Sequence, residues 1–185
     1  NHLERKYSKS LASKNIEVNL FGSQTFKDID KLDKYTVGSS NCYYYDELSH
    51  YHSKVIVTIG HNGAIEQQHV KIINIVKDVI NIDDYVFIFP MTYGLVSLNY
   101  LEELKTLCDK YGMNAMFLTS YMTPLEVAYL RKYSDIFIQL QITDAFSGSM
   151  QEHIYGGARV ITGKWLNYEE LVSRSVVFSQ IVNFE

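Results

Sequence analysis

Short β-branched runs recur along residues 54–182, each followed by a stretch of helical period and none joined to the next by a hairpin turn, which leaves little choice of fold. Val55 to Ile59 is the first run and ends at Gly60. After it, Ile65, His69, Ile72, Ile73, Val76 and Ile80 share one helical face. Tyr85 to Phe89 is a second strand, closed by Pro90. Ser97 is placed to cap a helix whose Leu98, Leu101, Leu104 and Cys108 point inward and which stops at Gly112. Ala115 to Thr119 is a third strand. Thr123-Pro124-Leu125-Glu126 then carries the cap, first-position proline and glutamate of a capping box, predicting a helix to about Tyr133. Asp135 to Gln141 and Arg159 to Thr162 are further strands, with a loop and a helix between them. A short helix from Asn167 to Ser173 follows, then a last strand or the chain end over Val176 to Val182. Parallel strands need crossover connections, so this alternation predicts an α/β fold: a Rossmann-like parallel sheet with helices on both faces.

Residues 1–53 do not share the rhythm. Ile16 to Phe21 reads as an edge strand, and the polar, tyrosine-rich Thr25 to Ser53 as linker or lid, which leaves 54–185 as the domain proper. A chain of 185 residues, 46% of them hydrophobic, can bury one proper core. Its net charge of -4 provides no basic field, so nucleic acid is not an expected partner. Cys42 and Cys108 stand far apart without metal-ligand spacing, as in a reduced cytoplasmic protein. No apolar run approaches the roughly 20 residues that span a bilayer. The opening Asn1-His2-Leu3 is neither a signal peptide nor a natural initiator, so a piece of a longer chain is expected. Asp28-Ile29-Asp30 and His50-Tyr51-His52 look like metal pairs, but the first reads as a solvated face and the second has no evident third ligand; no metal is expected.

In an open α/β sheet, ligands bind beyond the carboxyl ends of the strands, and the unusual segments of this chain all lie there. Gly60-His61-Asn62-Gly63 follows the first strand, Pro90-Met91-Thr92-Tyr93-Gly94 the second, Thr119-Ser120-Tyr121-Met122 the third and Thr143 to Ser149 the fourth. Gly60 and Gly63 permit close backbone approach, so that turn either cradles a phosphate or is an ordinary βα turn. His61 and His69 are candidate donors to a diphosphate, although His69 falls on the apolar face and is equally read as a core histidine. Ser147-Gly148-Ser149 offers hydroxyls and bare N–H groups at a helix start. Glu152 is explained either by a ligand or by a capping box with Ser149. Asp144 stands at the strand mouth, where a structural aspartate is usually a turn residue.

The run Asp144-Ala-Phe-Ser-Gly-Ser-Met-Gln-Glu152-His-Ile-Tyr-Gly-Gly-Ala-Arg-Val-Ile161 resembles a segment of GT-B glycosyltransferases, family 4 especially, in which two acids separated by seven residues precede a helix, a glycine and a strand. The likeness runs from about Lys54 to Tyr168. With Gly-His-Asn-Gly and Pro-Met-Thr-Tyr-Gly it looks like a bacterial polysaccharide-synthesis branch, loosely similar also to lipid-linked fucosamine transferases.

The resemblance implies a C-terminal donor-binding domain, half of a GT-B fold, that takes a nucleotide-sugar and hands its sugar to a glycan or lipid-linked acceptor held by a missing N-terminal domain. Glu152 would bind the ribose and Asp144 the sugar hydroxyls, these two being the catalytic pair. Phe146, Ser147, Gly148 and Ser149 would face the diphosphate and sugar; Gly60, His61, Asn62, Gly63 and His69 the phosphates; Thr119, Ser120 and Tyr121 the base. Tyr93 and Gly94, in the second exit loop, complete the expected donor site. No cofactor beyond the donor is implied. The protein would be cytoplasmic, with the full-length chain at the inner face of the membrane. Asp replaces the usual first Glu, which with the fucosamine-transferase likeness leaves inversion open beside the retention that family 4 implies. The cations that usually neutralise the diphosphate have no counterpart in His61 to His69; Asn62, Gln67, Gln68 and the histidines are the substitutes at hand, with Lys164 or the missing half as alternatives. The rival readings are a sugar-nucleotide epimerase of the same architecture and a non-catalytic binding or scaffold module.

Overall fold

The computed structural model describes residues 24–32, 50–51, 53–78, 81–94, 97–144, 147–166, 168 and 178–181. Helix α1 (Gln24–Lys31) precedes six strands, β1 (Val55–Ile59), β2 (Tyr85–Pro90), β3 (Ala115–Leu118), β4 (Ile136–Gln139), β5 (Arg159–Gly163) and β6 (Phe178–Ile181). Helices α2 (His69–Val76), α3 (Leu98–Lys110), α4 (Pro124–Tyr133) and α5 (Gly148–Gly156) cross between successive strands from β1 to β5. The sheet is parallel throughout, in the order β3-β2-β1-β4-β5-β6. This is the expected Rossmann-like α/β architecture, and residues 178–181 add a strand where the sequence allowed a strand or the chain end. The edge strand expected at Ile16 to Phe21 and most of the helix at Asn167 to Ser173 lie outside the described residues.

Because side chains alternate across a strand, the continuous apolar runs of β1, β2 and β4 feed two faces at once. On one face Val57, Ile59, Phe87, Phe89 and Ile138 pack with Ile72 and Ile73 of α2 and with Leu101, Leu104 and Cys108 of α3. On the other, Ile56, Val86 and Ile88 meet Leu130 of α4, while Phe137 and Val160 meet Met150 of α5. Two caps set where the helices begin. Ser97 accepts from the Tyr100 N–H, and Thr123 and Glu126 close the full capping box ahead of Pro124.

Three expectations change. The helix beginning near Ile65 is interrupted: Ile65–Gln67 is a 3-10 turn, Gln68 takes a left-handed φ of 61°, and only then does α2 run. The break turns Ile65 outward, where it is 68% exposed. Leu98 is likewise exposed rather than inward, at the first residue of α3. The stretch read as linker or lid contains α1, whose Ile29 packs, with Leu32 just beyond it, against Ala128 and Tyr129 of α4. Phe26 of α1 stacks on Tyr155 of α5 at 4.6 Å. Asp30 accepts from the Tyr155 hydroxyl, and Asp28 pairs with Lys31, which accounts for that acidic pair without a metal.

Helices α4 and α5 touch through their backbones. A Cβ on Gly156 would stand 2.4 Å from the Arg131 carbonyl oxygen and 2.8 Å from its carbonyl carbon, inside any tolerable contact. Gly156→Ala is therefore expected to force the helices apart and to cost about 1–3 kcal/mol, the usual range for overpacking, read as a lower midpoint in urea unfolding. Among the described residues no helix is long and apolar enough to cross a membrane.

Candidate functional site

Strand order reverses between β1 and β4: chain leaving β1 builds towards β2 and β3, chain leaving β4 builds towards β5 and β6. Loops that diverge at such a point leave a crevice above the carboxyl ends of the two strands. Here the crevice floor is polar. Gln139, fully buried at the end of β4, places Oε1 3.4 Å from His61 Nδ1 in the β1 exit loop.

The β1 loop is shaped by its glycines and side-chain amides. Gly60 has a φ of 65°, and a Cβ there would meet Gln67 Oε1 at 2.9 Å and His69 Nε2 at 3.0 Å, so both conformation and space call for glycine. Gln67 accepts from the His61 N–H and donates to Gln141 Oε1 at 2.6 Å; Gln68 donates to the Leu140 carbonyl at 2.6 Å. Both glutamines are thus committed to protein groups, joining the β1 and β4 exits, and neither is free to replace a diphosphate cation. Asn62 accepts from the Ala64 N–H, which closes the turn. The Gly63 N–H donates to the Tyr93 carbonyl at 2.7 Å, and Gly94, with a φ of 94°, lies so near that a Cβ would be 2.9 Å from Asn62 Oδ1. The β1 and β2 exit loops are therefore latched together, with the Tyr93 ring 6.4 Å from that of His61.

On the β4 side Asp144 accepts from the hydroxyl of Tyr168, which is buried. Burial, and then the Asp144 carboxylate, hold the Tyr168 phenol above its ordinary range, so it remains a donor. Phe146 lies outside the described residues. Ser147 is the N-cap of α5 and accepts from the Met150 N–H. This replaces the capping box expected from Ser149 and Glu152, because the helix starts two residues earlier. Gly148 and Ser149 supply the first N–H groups of α5, which have no partner within the helix. The Ser149 hydroxyl is buried without a hydrogen bond among the described residues.

Glu152, freed of the capping explanation, pairs with Arg131 of α4: Nε donates to Oε2 at 3.2 Å, with the two side chains 7% and 15% exposed. Arg131 Nη1 lies 3.5 Å from His153 Nε2, and His153 Nδ1 is 2.8 Å from the Ser149 carbonyl. A guanidinium only donates and a carbonyl only accepts, so His153 is neutral with its proton on Nδ1. Burial, reinforced by Arg131, keeps its pKa well below the usual value. The ring stacks on Phe137 with centroids 3.9 Å apart.

Burial also lowers the pKa of His61; the Gln139 hydrogen bond opposes this, Arg131 adds to it and Asp144 offsets it. His69, fully buried, falls to about 4 through burial and then the nearby His61. Its Nδ1 is 3.1 Å from the Tyr100 hydroxyl, while Nε2 has no partner in hydrogen-bonding geometry among the described residues. Tyr93 is pushed up by burial, with Arg131 pulling the other way and Glu152 adding to the rise.

The β1 and β2 exit loops thus carry His61, Asn62, Gly63, Tyr93 and Gly94 on one side of the switch point, and the β4 exit and the start of α5 carry Asp144, Ser147, Gly148, Ser149 and Glu152 on the other. Thr119, Ser120 and Tyr121 stand apart, exposed at the mouth of the edge strand β3, with Tyr121 84% exposed. Reading the sequence missed Arg131, Gln139 and Tyr168. Arg131 did leave a signal: it lies three residues after the buried Ala128, on the inward stripe of α4, where a charge requires a partner.

No family model and no curated protein matches the chain. Solved structures do. A glycosyltransferase from Rickettsia africae superposes with a TM-score of 0.64 over 100% of this chain and 54% of its own, at 14% identity. The E. coli trehalose-6-phosphate structure bound with UDP-2-fluoro glucose gives 0.58 over 84% of this chain and 38% of its own, at 13% identity. WaaG, a glycosyltransferase involved in lipopolysaccharide biosynthesis, gives 0.56 over 78% and 38%, at 14% identity. The chain shares with these proteins an α/β, Rossmann-like parallel-sheet fold. The chain spans about half or less of each of these three proteins.

Proposed function

We propose that this chain is the donor-binding domain of a metal-independent glycosyltransferase, one that holds a nucleotide-sugar while its sugar passes to a glycan or lipid-linked acceptor in bacterial surface polysaccharide synthesis. One observation carries the reading. The start of α5 follows β4 at the topological switch point, so Asp144, the first N–H groups of α5 at Gly148 and Ser149, and Glu152 belong to the strand exit beside that of His61. Departure of a nucleoside diphosphate builds negative charge on its β-phosphate, and N–H groups already aimed from a helix start stabilise that charge without reorganising. The fold supports the reading through its neighbours, one of which holds a UDP-sugar analogue. In this scheme Glu152 takes the ribose, Asp144 the sugar hydroxyls, and the latched loop of Gly60 to Gly63 lies against the phosphates. The acceptor and any base from a second domain are needed for transfer, so the chain alone binds donor and transfers little.

Calorimetric titration with UDP, GDP and TDP tests this. At least one is expected to bind, and Glu152→Gln, which keeps an acceptor for Arg131, is expected to weaken that binding by about 1.5–3 kcal/mol, the worth of a hydrogen bond to a charged group. Failure of all three at millimolar concentration favours a scaffold module instead.

A further inference from the structure

Arg131 is 6% exposed, placed on α4 with polar side-chain contacts to Glu152 and His153 of α5. An ion pair this deep is a poor means of gaining stability, since desolvating both ions offsets most of their attraction, and an apolar pair of the same volume commonly does as well. What it does provide is a defined geometry. A glutamate on an exposed helix face samples several rotamers; Glu152 accepts at Oε2 from Arg131 Nε, on a guanidinium that is itself held. The fork rests on His153, whose tautomer is set by the Ser149 carbonyl and whose ring plane is set by Phe137. The Arg131 backbone in turn lies against Gly156, so the side chain starts from a fixed point one turn below its target. The Glu152 carboxylate is thereby tied to α4 through Arg131, and Arg131 to α5 through both its guanidinium and its backbone.

We infer that Arg131 is a positioning residue of the donor site, holding the Glu152 carboxylate in the one orientation from which it takes the ribose hydroxyls of a nucleotide. The inference rests on the donor-site reading above and deepens it: the site selects ribonucleotides over their deoxy counterparts through a residue that touches no ligand. Arg131 also lies near enough to His61 and Tyr93 to favour the lower pKa of each, behind the larger effect of burial.

The test compares UDP and GDP with their 2′,3′-dideoxy forms by calorimetry on the whole chain. The wild type is expected to prefer the ribonucleotide by roughly tenfold or more, the worth of a charge-assisted hydrogen bond. Arg131→Met is expected to bring that preference close to unity, and Arg131→Lys to restore part of it. Adding Arg131→Met to Glu152→Gln is expected to cause no further loss of preference, because the arginine acts only through the glutamate. A folded Arg131→Met chain with the full ribose preference overturns the inference and leaves Arg131 a structural residue. Should that variant not fold, Arg131→Lys decides, because it keeps the charge and loses the fork: a reduced preference supports the inference and an undiminished one overturns it. Tight wild-type binding without ribose preference overturns the inference alone, whereas no wild-type binding of either nucleotide overturns the donor-site reading and the inference with it.

Discussion

Arg131→Ala is expected to lower folding stability by about 3–5 kcal/mol, the range for removing one partner of a buried ion pair. The pair itself is not the source of that figure. Truncation leaves the Glu152 carboxylate largely buried opposite an empty volume and strips the His153 Nε2 lone pair of its donor, so two desolvated groups lose their compensation together. It also removes the aliphatic stem that fills the space beside α5. Removing both charges should therefore hurt far less than removing one. Arg131→Met/Glu152→Gln is expected to recover most of the loss, and urea unfolding of wild type, the two single variants and the double variant measures the coupling directly. At about 2–4 °C per kcal/mol for a chain of this size, the alanine variant should also melt well below the wild type. A double variant no more stable than Arg131→Ala would show that neither the uncompensated charge nor the lost volume accounts for the loss.

Acid is expected to destabilise the fold between pH 6.5 and about 4, before ordinary carboxylates protonate in bulk. The direction follows from which state binds the protons. His69 titrates at about 4 in the fold against 6.5 for the free side chain, so between those values the unfolded chain takes up a proton that the folded chain refuses. Stability is full above 6.5 and falls as pH drops towards 4. The difference, 6.5 − 4 = 2.5 units, corresponds to roughly 3 kcal/mol. His153 works in the same direction, since charging it would set a second cation against Arg131 in a buried site. Unfolding free energies measured every half unit of pH, for wild type and His69→Gln, isolate the His69 contribution: the variant should lose less stability over this interval. Equal slopes in the two chains would place the acid sensitivity elsewhere.

Much of this fold was legible in the sequence because the deciding signals are local. The caps at Ser97 and Thr123 involve residues three apart, and the strand runs are short and self-contained. Where reading failed, the deciding contact was distant or conformational. Periodicity placed Ile65 on the face of His69, but the left-handed Gln68 between them breaks the helix, and no pattern of apolar residues announces a φ. Ser149 and Glu152 have the spacing of a capping box, yet Ser147 two residues earlier makes the cap, so a genuine motif stood in the wrong register. The convergence of the exit loops followed from strand order, which the alternation of elements implied. The cation of the crevice did not, because Arg131 and Glu152 are 152 − 131 = 21 residues apart on different helices and meet only after α4 and α5 have packed.

Strand order has one more consequence, for how the protein is made. β1 reaches β2 across 85 − 55 = 30 residues, but reaches β4 only across 136 − 57 = 79, and closing the longer loop carries the greater entropic penalty. The three earlier strands can therefore assemble as a unit before the remaining ones dock along the open edge of β1. The seam where the two parts join is the crevice itself, so whatever binds there clasps the final joint of the molecule. A ligand bound there is expected to slow unfolding while leaving the rate of folding almost unchanged.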